Sequence, residues 1–226
     1  MTVAKPTTVI VLHYGDPKLT EACLDALHEH TPGVDIIVAD NGTGDFMPFN
    51  VQQYTFNLGF AGGNNRAAQS VTTPRITFLN NDTLVHPGWL EPLLEGDIVG
   101  SRLVYPDGTL QHAGIRFDTD GGVLHGHNIH DDLPSRPVKA VTGACLTIRT
   151  ELFHELNGFD TAYWNGNEDC DLCLRALDIG ATIRFERDSV VTHLESQAGP
   201  ERWKKVRENV TRFSDRWKSR PDLWKE

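Results

Sequence analysis

Apolar and polar positions along this chain follow two rhythms, one of short unbroken apolar runs and one of helical spacing. Thr8-Val9-Ile10-Val11-Leu12 is an apolar run of the kind that forms a central parallel strand. Pro17 suits a first helical turn, and Leu19, Cys23, Ala26, Leu27 and His30 then share one helical face. Val34 to Ala39 reads as a second strand ending at Asp40. A strand, helix and strand within about thirty residues predict a βαβ unit, hence a parallel sheet with right-handed crossover. In such sheets ligands bind beyond the carboxyl ends of the strands, which makes His13 and Asp40 binding candidates by topology.

The pattern continues with an extended segment from Val51 to Phe56 and a glycine- and asparagine-rich stretch from Asn57 to Asn65. That stretch precedes a helix expected over Arg66 to Val71, and its glycines let backbone approach a ligand closely, so Asn57, Gly59 and Asn64 are candidates. Arg75 to Leu79 is a fourth strand, ending at Asn80-Asn81-Asp82-Thr83. A carboxylate in that position can hold a hard divalent cation. A helix near Pro87 to Leu94, a strand at Asp97 to Gly100 and a hairpin turn at Pro106-Asp107-Gly108 follow, with Gln111 and His112 on the return arm. Residues 118–137 read as a long loop carrying His125, His127 and His130, a metal cluster only if something holds their spacing.

Lys139 to Thr142 and Ala144 to Arg149 are extended around Gly143, and Glu151 to Leu156 is a short helix. Trp164 to Asn167 then forms a polar loop that enters a helix. In it Cys170, Cys173 and Leu177 share one face, Leu172, Ala176 and Ile179 another, and Gly180 ends it. Glu168 and Asp169 therefore sit where backbone N–H groups are free, and Asp169 has two readings, a helix cap or a pre-oriented catalytic carboxylate. Ala181 to Phe185 and Ser189 to His193 are expected as two closing strands, with His193 at a strand end. Between Pro200 and Trp217, Trp203, Val206, Val210, Phe213 and Trp217 step by three and four, giving an amphipathic helix. Its apolar face fits the protein's own body, an anionic membrane surface or a second subunit. Residues 201–226 carry nine Lys/Arg against five Asp/Glu, +4, and the remainder twelve against twenty-six, −14, so the body is the reading taken.

Composition narrows the classes. With 226 residues, 39% hydrophobic and 23% charged, the chain is an ordinary globular one, and no run of eighteen apolar residues is present to span a bilayer. The start of the chain lacks the apolar segment of a signal peptide, and the four cysteines, with no second CxxC pair, read as reduced, packed thiols. Both features lead to a cytoplasmic expectation. The net charge of −10 disfavours broad contact with nucleic acid.

Several pieces stand in a telling order. They are Asp40-Asn41-Gly42-Thr43, Asn57-x-Gly59-Phe60-Ala61-x-Gly63-Asn64-Asn65, Leu79-Asn80-Asn81-Asp82-Thr83, Pro106-Asp107-Gly108, Gly143-Ala144-Cys145 and Gly158-Phe159-Asp160. Glu168-Asp169-x-Asp171-Leu172-x-x-Arg175 and a final His193 complete the set. In that order they resemble family 2 glycosyltransferases, above all the rhamnosyltransferase-like branch, over residues 8 to 193. The resemblance implies an α/β GT-A (Rossmann-like) fold with a mostly parallel central sheet flanked by helices. Residues 1–199 would form the transferase domain, nucleotide-binding over 1–100 and acceptor-binding and catalytic over 101–199, with 200–226 as a C-terminal helix packed on it. It further implies inverting transfer of a sugar from a UDP- or dTDP-sugar to a hydroxyl of a glycan, lipid-linked or protein acceptor.

Under this resemblance Asp40 looks like the acid that meets the donor's pyrimidine, and Asn64 stands where some relatives place a base-contacting arginine. Asn80 and Asp82 match the outer positions of a DxD motif whose first Asp is here Asn. Asp82 and His193 resemble the ligands of a divalent metal, Asp169 the catalytic base, and Glu168 an acceptor or support residue. An inverting transfer needs one base, unlike a glycosidase with its two carboxylates. Two protein ligands would hold Mn²⁺ or Mg²⁺ weakly until a diphosphate completes the shell, and the histidine tilts the choice to Mn²⁺. The rival reading is a non-catalytic nucleotide-sugar or carbohydrate-binding module with a degenerate site. Asn80 favours that rival, whereas Asp82, Asp169 and His193 oppose it. An NAD-dependent oxidoreductase would need a glycine fingerprint that the first strand–helix turn lacks.

Overall fold

The computed structural model describes residues 6–44, 51–117, 123–125, 133–195 and 205–225. Its strands are β1 (Thr8–His13), β2 (Asp35–Asp40), β3 (Gln52–Gln53), β4 (Arg75–Asn80), β5 (Thr83–Val85), β6 (Ile98–Val104), β7 (Leu110–His112), β8 (Ile115–Phe117), β9 (Val123–His125), β10 (Arg136–Pro137), β11 (Cys145–Arg149) and β12 (Ile183–His193). Its helices are α1 (Pro17–His30), α2 (Gly59–Ala68), α3 (Thr150–Glu155), α4 (Glu168–Asp178), α5 (Val206–Trp217) and α6 (Pro221–Trp224), with a 3-10 turn at Glu91–Leu94.

The apolar run of β1 pairs in parallel with β2 on one side and β4 on the other. Val9 and Val11 point into one core, with Cys23, Leu24 and Leu27 of α1. Ile10 points into the other, beneath α2, α3, α4, α5 and α6. A sheet covered on both faces needs runs apolar at every position, which is what this strand supplies. Asp16 caps α1 by accepting from the Lys18 amide at 3.0 Å, and Pro17 fills the first helical position, where no donor is required.

Strand order in the large sheet is β10-β12-β6-β11-β4-β1-β2-β3. β3, β2, β1 and β4 run parallel, but β11 runs antiparallel to both β4 and β6, and β12 lies parallel to β6. The sheet is therefore mixed. Two reversals restore direction, so β1, β2, β4 and β12 all end at one edge, with His13, Asp40, Asn80 and His193 as their last residues. The start of β11, just after Gly143-Ala144, lies at that edge as well.

Elsewhere the boundaries differ from the sequence reading, each for a physical reason. α2 begins at Gly59, seven residues before the expected start, so the glycine-rich stretch is itself helical. Low helix propensity is overridden by close packing: a Cβ on Gly63 would lie 2.7 Å from Leu12 Cδ1 and one on Gly59 2.5 Å from the Trp164 carbonyl. The segment 51–56 contributes only Gln52–Gln53 to the sheet, and the expected helix at 87–94 is the shorter 3-10 turn. The two expected closing strands are one strand, β12, with a register shift between Glu186 and Val190. Ile179 and Val210, read as helix-face residues, are 52% and 48% exposed.

The C-terminal segment lies on the body over its described part. Phe213, Trp217, Leu223 and Trp224 all belong to the larger core, and Phe213 stacks on Phe117 with ring centres 5.8 Å apart. Burial worth about 1.5–3 kcal/mol per large side chain accounts for the order of a helix too short to persist alone. Trp203 lies outside the described residues. Among the described residues, no helix is long and apolar enough to cross a membrane.

Candidate functional site

Four strand ends and one strand start meet at the edge just described, and their side chains are tied together laterally. His13 is buried, with Nδ1 2.8 Å from the Thr20 hydroxyl, and Asn81 donates to that same hydroxyl at 3.0 Å. The Asp40 carboxylate, also buried, accepts from the Thr43 amide at 2.9 Å, the Thr43 hydroxyl at 2.7 Å and the Gly44 amide at 3.2 Å. It thus shapes the loop that follows β2. Asn41, absent from the sequence candidates, donates to Asn57 Oδ1 at 3.0 Å and to the Gly59 carbonyl at 3.1 Å, and accepts from the Leu58 amide at 3.0 Å. Asn57 in turn accepts from the Gly59 amide at 2.7 Å, so the two asparagines clasp the start of α2 to the end of β2.

At the end of β4, three of the proposed metal-side residues converge. His193 Nε2 lies 3.2 Å from Asp82 Oδ1 and 3.3 Å from Asn80 Nδ2. Two ligand atoms at right angles on a small divalent cation are about 3 Å apart, so an imidazole and a carboxylate at this spacing fit a shared cation. Among the described residues no group of three or more His, Cys, Asp or Glu comes together as a metal cluster, so a cation between Asp82 and His193 would need further ligands. His193 Nδ1 lies 2.7 Å from Gln111 Oε1, and Gln111 Nε2 donates to the His193 carbonyl at 3.1 Å. Gln111 is a site residue that sequence reasoning passed over. Only the hairpin turn before it hinted that its arm would fold back onto β12's neighbour.

The start of α4 forms the other side. Asn167, with φ of 73°, holds the cap position without a side-chain cap bond, so Asp169 lies inside the first turn and is not the cap residue. Its Oδ2 accepts from the Gly143 amide at 2.9 Å and its Oδ1 from the Cys170 amide at 2.8 Å. Both bonds orient a carboxylate that stays 9% exposed, and Glu168 beside it is 5% exposed. The neighbouring Ala144 carbonyl accepts from the Asn80 amide at 2.9 Å. One dipeptide, Gly143-Ala144, therefore carries Asp169 on one side and the end of β4 on the other.

Asp171, two residues further on, has a different fate. It is fully buried and takes Arg175 Nε at 2.7 Å, Trp217 Nε1 at 3.0 Å and Arg216 at 3.1 Å. Asn209 of α5 donates to the Asn165 carbonyl at 2.9 Å, and the Phe60 amide donates to the Trp164 carbonyl at 3.2 Å. The loop before Asp169 is thus held by α5 and α2. Asn65 clamps the next turn back, donating to the Phe159 carbonyl at 2.8 Å and accepting its amide at 2.9 Å. Asn64 turns inward, its amide bonded to the Phe60 carbonyl at 3.1 Å within its own helix.

His127 and His130 lie outside the described residues, as does most of the loop 118–137 near its tip. Cys170 and Cys173 are buried and free, burial pushing Cys173 up to about 12 and Cys170 well above its ordinary value, so both are packed protonated thiols. A cavity of about 630 Å³, lined by Glu91, Pro92, Glu95, Gly96, Arg184 and Glu186, opens by the starts of β6 and β12, at the opposite end of the sheet.

The chain is similar to several known proteins. Residues 8–98 match the family model for glycosyl transferase family 2, and residues 127–196 that for the N-terminal domain of galactosyltransferase. The fold is similar to GalNAc-T7 solved with UDP, GalNAc and Mn²⁺, with a TM-score of 0.67 at 14% identity over 83% of this chain and 42% of that one. It is also similar to a mannosyltransferase from Pyrobaculum calidifontis solved with GDP-Man and Mn²⁺, with a TM-score of 0.64 at 18% identity over 94% and 64%. In sequence the chain is 33% identical over 153 residues to the O-antigen biosynthesis protein RfbC of Myxococcus xanthus, covering 59% of this chain and 12% of that protein. The fold is therefore of the GT-A type. In sequence, residues 8–98 are similar to glycosyl transferase family 2. The chain spans 12 to 37% of the curated relatives it matches.

Proposed function

We propose that this domain is an inverting glycosyltransferase that moves a sugar from a nucleoside-diphosphate sugar to an acceptor hydroxyl, with Asp169 as general base. The observation that carries the reading is the shared dipeptide: the Gly143 amide holds the Asp169 carboxylate while the Ala144 carbonyl holds the end of β4, where Asp82 and His193 converge. A base and an anion-neutralising end are thereby set on one rigid piece of backbone.

In the reaction, Asp169 accepts the proton of the acceptor hydroxyl as its oxygen bonds to the anomeric carbon. The bond from that carbon to the diphosphate oxygen breaks on the opposite face, and the nucleoside diphosphate leaves with the electron pair. One carboxylate suffices, because the leaving group needs charge stabilisation and no proton. Asp82 and His193, with Asn80 beside them, would hold a divalent cation. When bound, that cation supplies positive charge toward the leaving diphosphate. Asp40 and the Asn41–Asn57 clasp shape the loops at the strand ends where the nucleoside would lie, with His13 beneath them. Glu168 adjoins the acceptor side.

The neighbouring structures carry different nucleotides, so the donor test uses a panel of UDP-, dTDP- and GDP-sugars with Mn²⁺ and glycan, lipid-linked and peptide acceptors. Nucleoside diphosphate release that depends on an acceptor and disappears in Asp169→Asn is the expected result. Donor binding seen as a thermal shift, without release on any acceptor, would instead establish a binding module.

A further inference from the structure

We propose that Gln111 is a positioning residue that sets the tautomer and orientation of His193 and so makes the Asp82–His193 pair competent for a divalent cation. The inference rests on the metal reading given above.

Gln111 is 5% exposed and meets His193 at two points, its carbonyl oxygen 2.7 Å from Nδ1 and its amide nitrogen 3.1 Å from the His193 backbone carbonyl. The second bond settles which way the amide faces. A flipped amide would point its oxygen at the His193 carbonyl, acceptor against acceptor, and its NH₂ at the ring. With the oxygen toward the ring, Nδ1 must carry the proton. The neutral imidazole then has its lone pair on Nε2, which faces Asp82 Oδ1 at 3.2 Å and accepts from the Asn80 amide at 3.3 Å. An imidazole nitrogen and a carboxylate oxygen 3.2 Å apart, on residues only 8% and 7% exposed, suit a cation shared between them. Without Gln111 the opposite tautomer becomes favourable. Nε2–H would donate to Asp82, and the same two residues would close on each other as a neutral hydrogen bond.

The clamp also explains why His193 keeps its place at the end of a long strand. Gln111 lies on β7, which pairs with β6, and β6 pairs with β12. The amide therefore bridges across β6 from the hairpin arm to the strand end. The Leu194 amide donates to the Asp82 carbonyl at 2.9 Å, joining the same two loops by backbone.

The test uses the whole chain and two readouts besides turnover. Long-range ¹H–¹⁵N correlation on metal-free protein at pH 8 reports the His193 tautomer, assigned by comparison with His193→Ala; Nδ1–H is expected, and Nε2–H in the wild type would overturn the proposal whatever any variant does. Mn²⁺ binding is followed by electron paramagnetic resonance with UDP and GDP in turn. Gln111→Leu should weaken Mn²⁺ binding about 10–100-fold, as loss of an orienting partner does. Gln111→Glu keeps an acceptor oxygen facing Nδ1 but sets its second oxygen against the His193 carbonyl, so it should weaken Mn²⁺ binding less than Gln111→Leu does. Gln111→Leu that binds Mn²⁺ as the wild type does, while Asp82→Ala loses it, would overturn the role of Gln111 alone. No Mn²⁺ binding by the wild type with either nucleotide would instead overturn the metal reading beneath it. Should Gln111→Leu not fold, as circular dichroism would show, the wild-type tautomer still decides the matter.

Discussion

At the Asp82–His193 end of the edge, His193 ends a paired strand, Asp82 sits in the tight turn between β4 and β5, and one amide, Gln111, adds the last constraint. At the Asp169 end, the carboxylate stands on a helix that a loop must deliver, and that loop is pinned by groups from α2 and α5. The sheet therefore positions one half of the proposed chemistry directly, whereas the other half depends on a distant C-terminal helix. Two acids in one helical turn show the division of labour. Asp169 keeps an open carboxylate oriented by two amides, and Asp171 is wholly taken up by Arg175, Arg216 and Trp217.

Asp171→Ala tests that division most severely. It leaves Arg175 without its carboxylate, and breaking a buried pair of this kind costs about 3–5 kcal/mol. Urea denaturation should register that loss, and an unchanged midpoint would show that α5 does not depend on the node. Next in size, Asp169→Asn should lower turnover ~10²-fold or more with donor binding retained. Its melting temperature should hold, because Asn167 occupies the cap position. A marked drop in melting temperature with turnover intact would reverse the roles of the two acids.

Asp82→Ala and His193→Ala should each weaken Mn²⁺-dependent donor binding, and the double variant should lose little beyond either, since the pair acts as a unit. Additive losses in calorimetric titrations would mean that the two bind separately. Trp217→Phe removes one donor to Asp171 and part of a buried ring, for a stability loss above the roughly 1 kcal/mol of a single hydrogen bond. A turnover loss beyond that, without a change in melting, would show α5 acting on the loop directly.

The smallest effect concerns the thiols. Burial raises Cys23, Cys145 and Cys173 from 9.0 to about 12. A raised folded value stabilises the protein fully below pH 9 and loses that contribution as pH climbs toward 12. Thiol labelling at pH 8 should therefore be negligible until denaturant opens the core, and rapid labelling of native protein would contradict the packing.

How much of this was legible before the fold was known varied by the range of the forces involved. β1, α1 with Pro17 in its first turn, and the strand ends near His13, Asp40 and Asn80 followed from local apolar runs and helix-start chemistry. The helix at Gly59 did not, because its glycines answer to Leu12 and Trp164, residues far off in sequence. Gln111 on its hairpin arm and Asp171 in its motif were visible, but the roles they play were not. Each is defined by a partner more than forty residues away, His193 and Trp217, and a single sequence carries no record of such pairings. Asp169 stood between the two cases. Its place at a helix start was readable, but the choice between cap and oriented carboxylate needed Asn167's backbone and Gly143's amide.

The register shift in β12 has a consequence for how this domain can vary. Pairing with β6 advances from Glu186↔Ser101 to Val190↔Arg102, so three residues of β12 have no counterpart on its neighbour. Side chains alternate faces along a strand, and the length of this insertion sets the parity with which His193 arrives at the edge. Substitutions at Arg187 or Asp188 leave that parity alone. Removing one of them would turn His193 toward the opposite face and bring Thr192 or Leu194 into its place. Length in this short bulge is therefore under tighter constraint than identity, and single-residue deletions there should abolish Mn²⁺ binding where point changes do not.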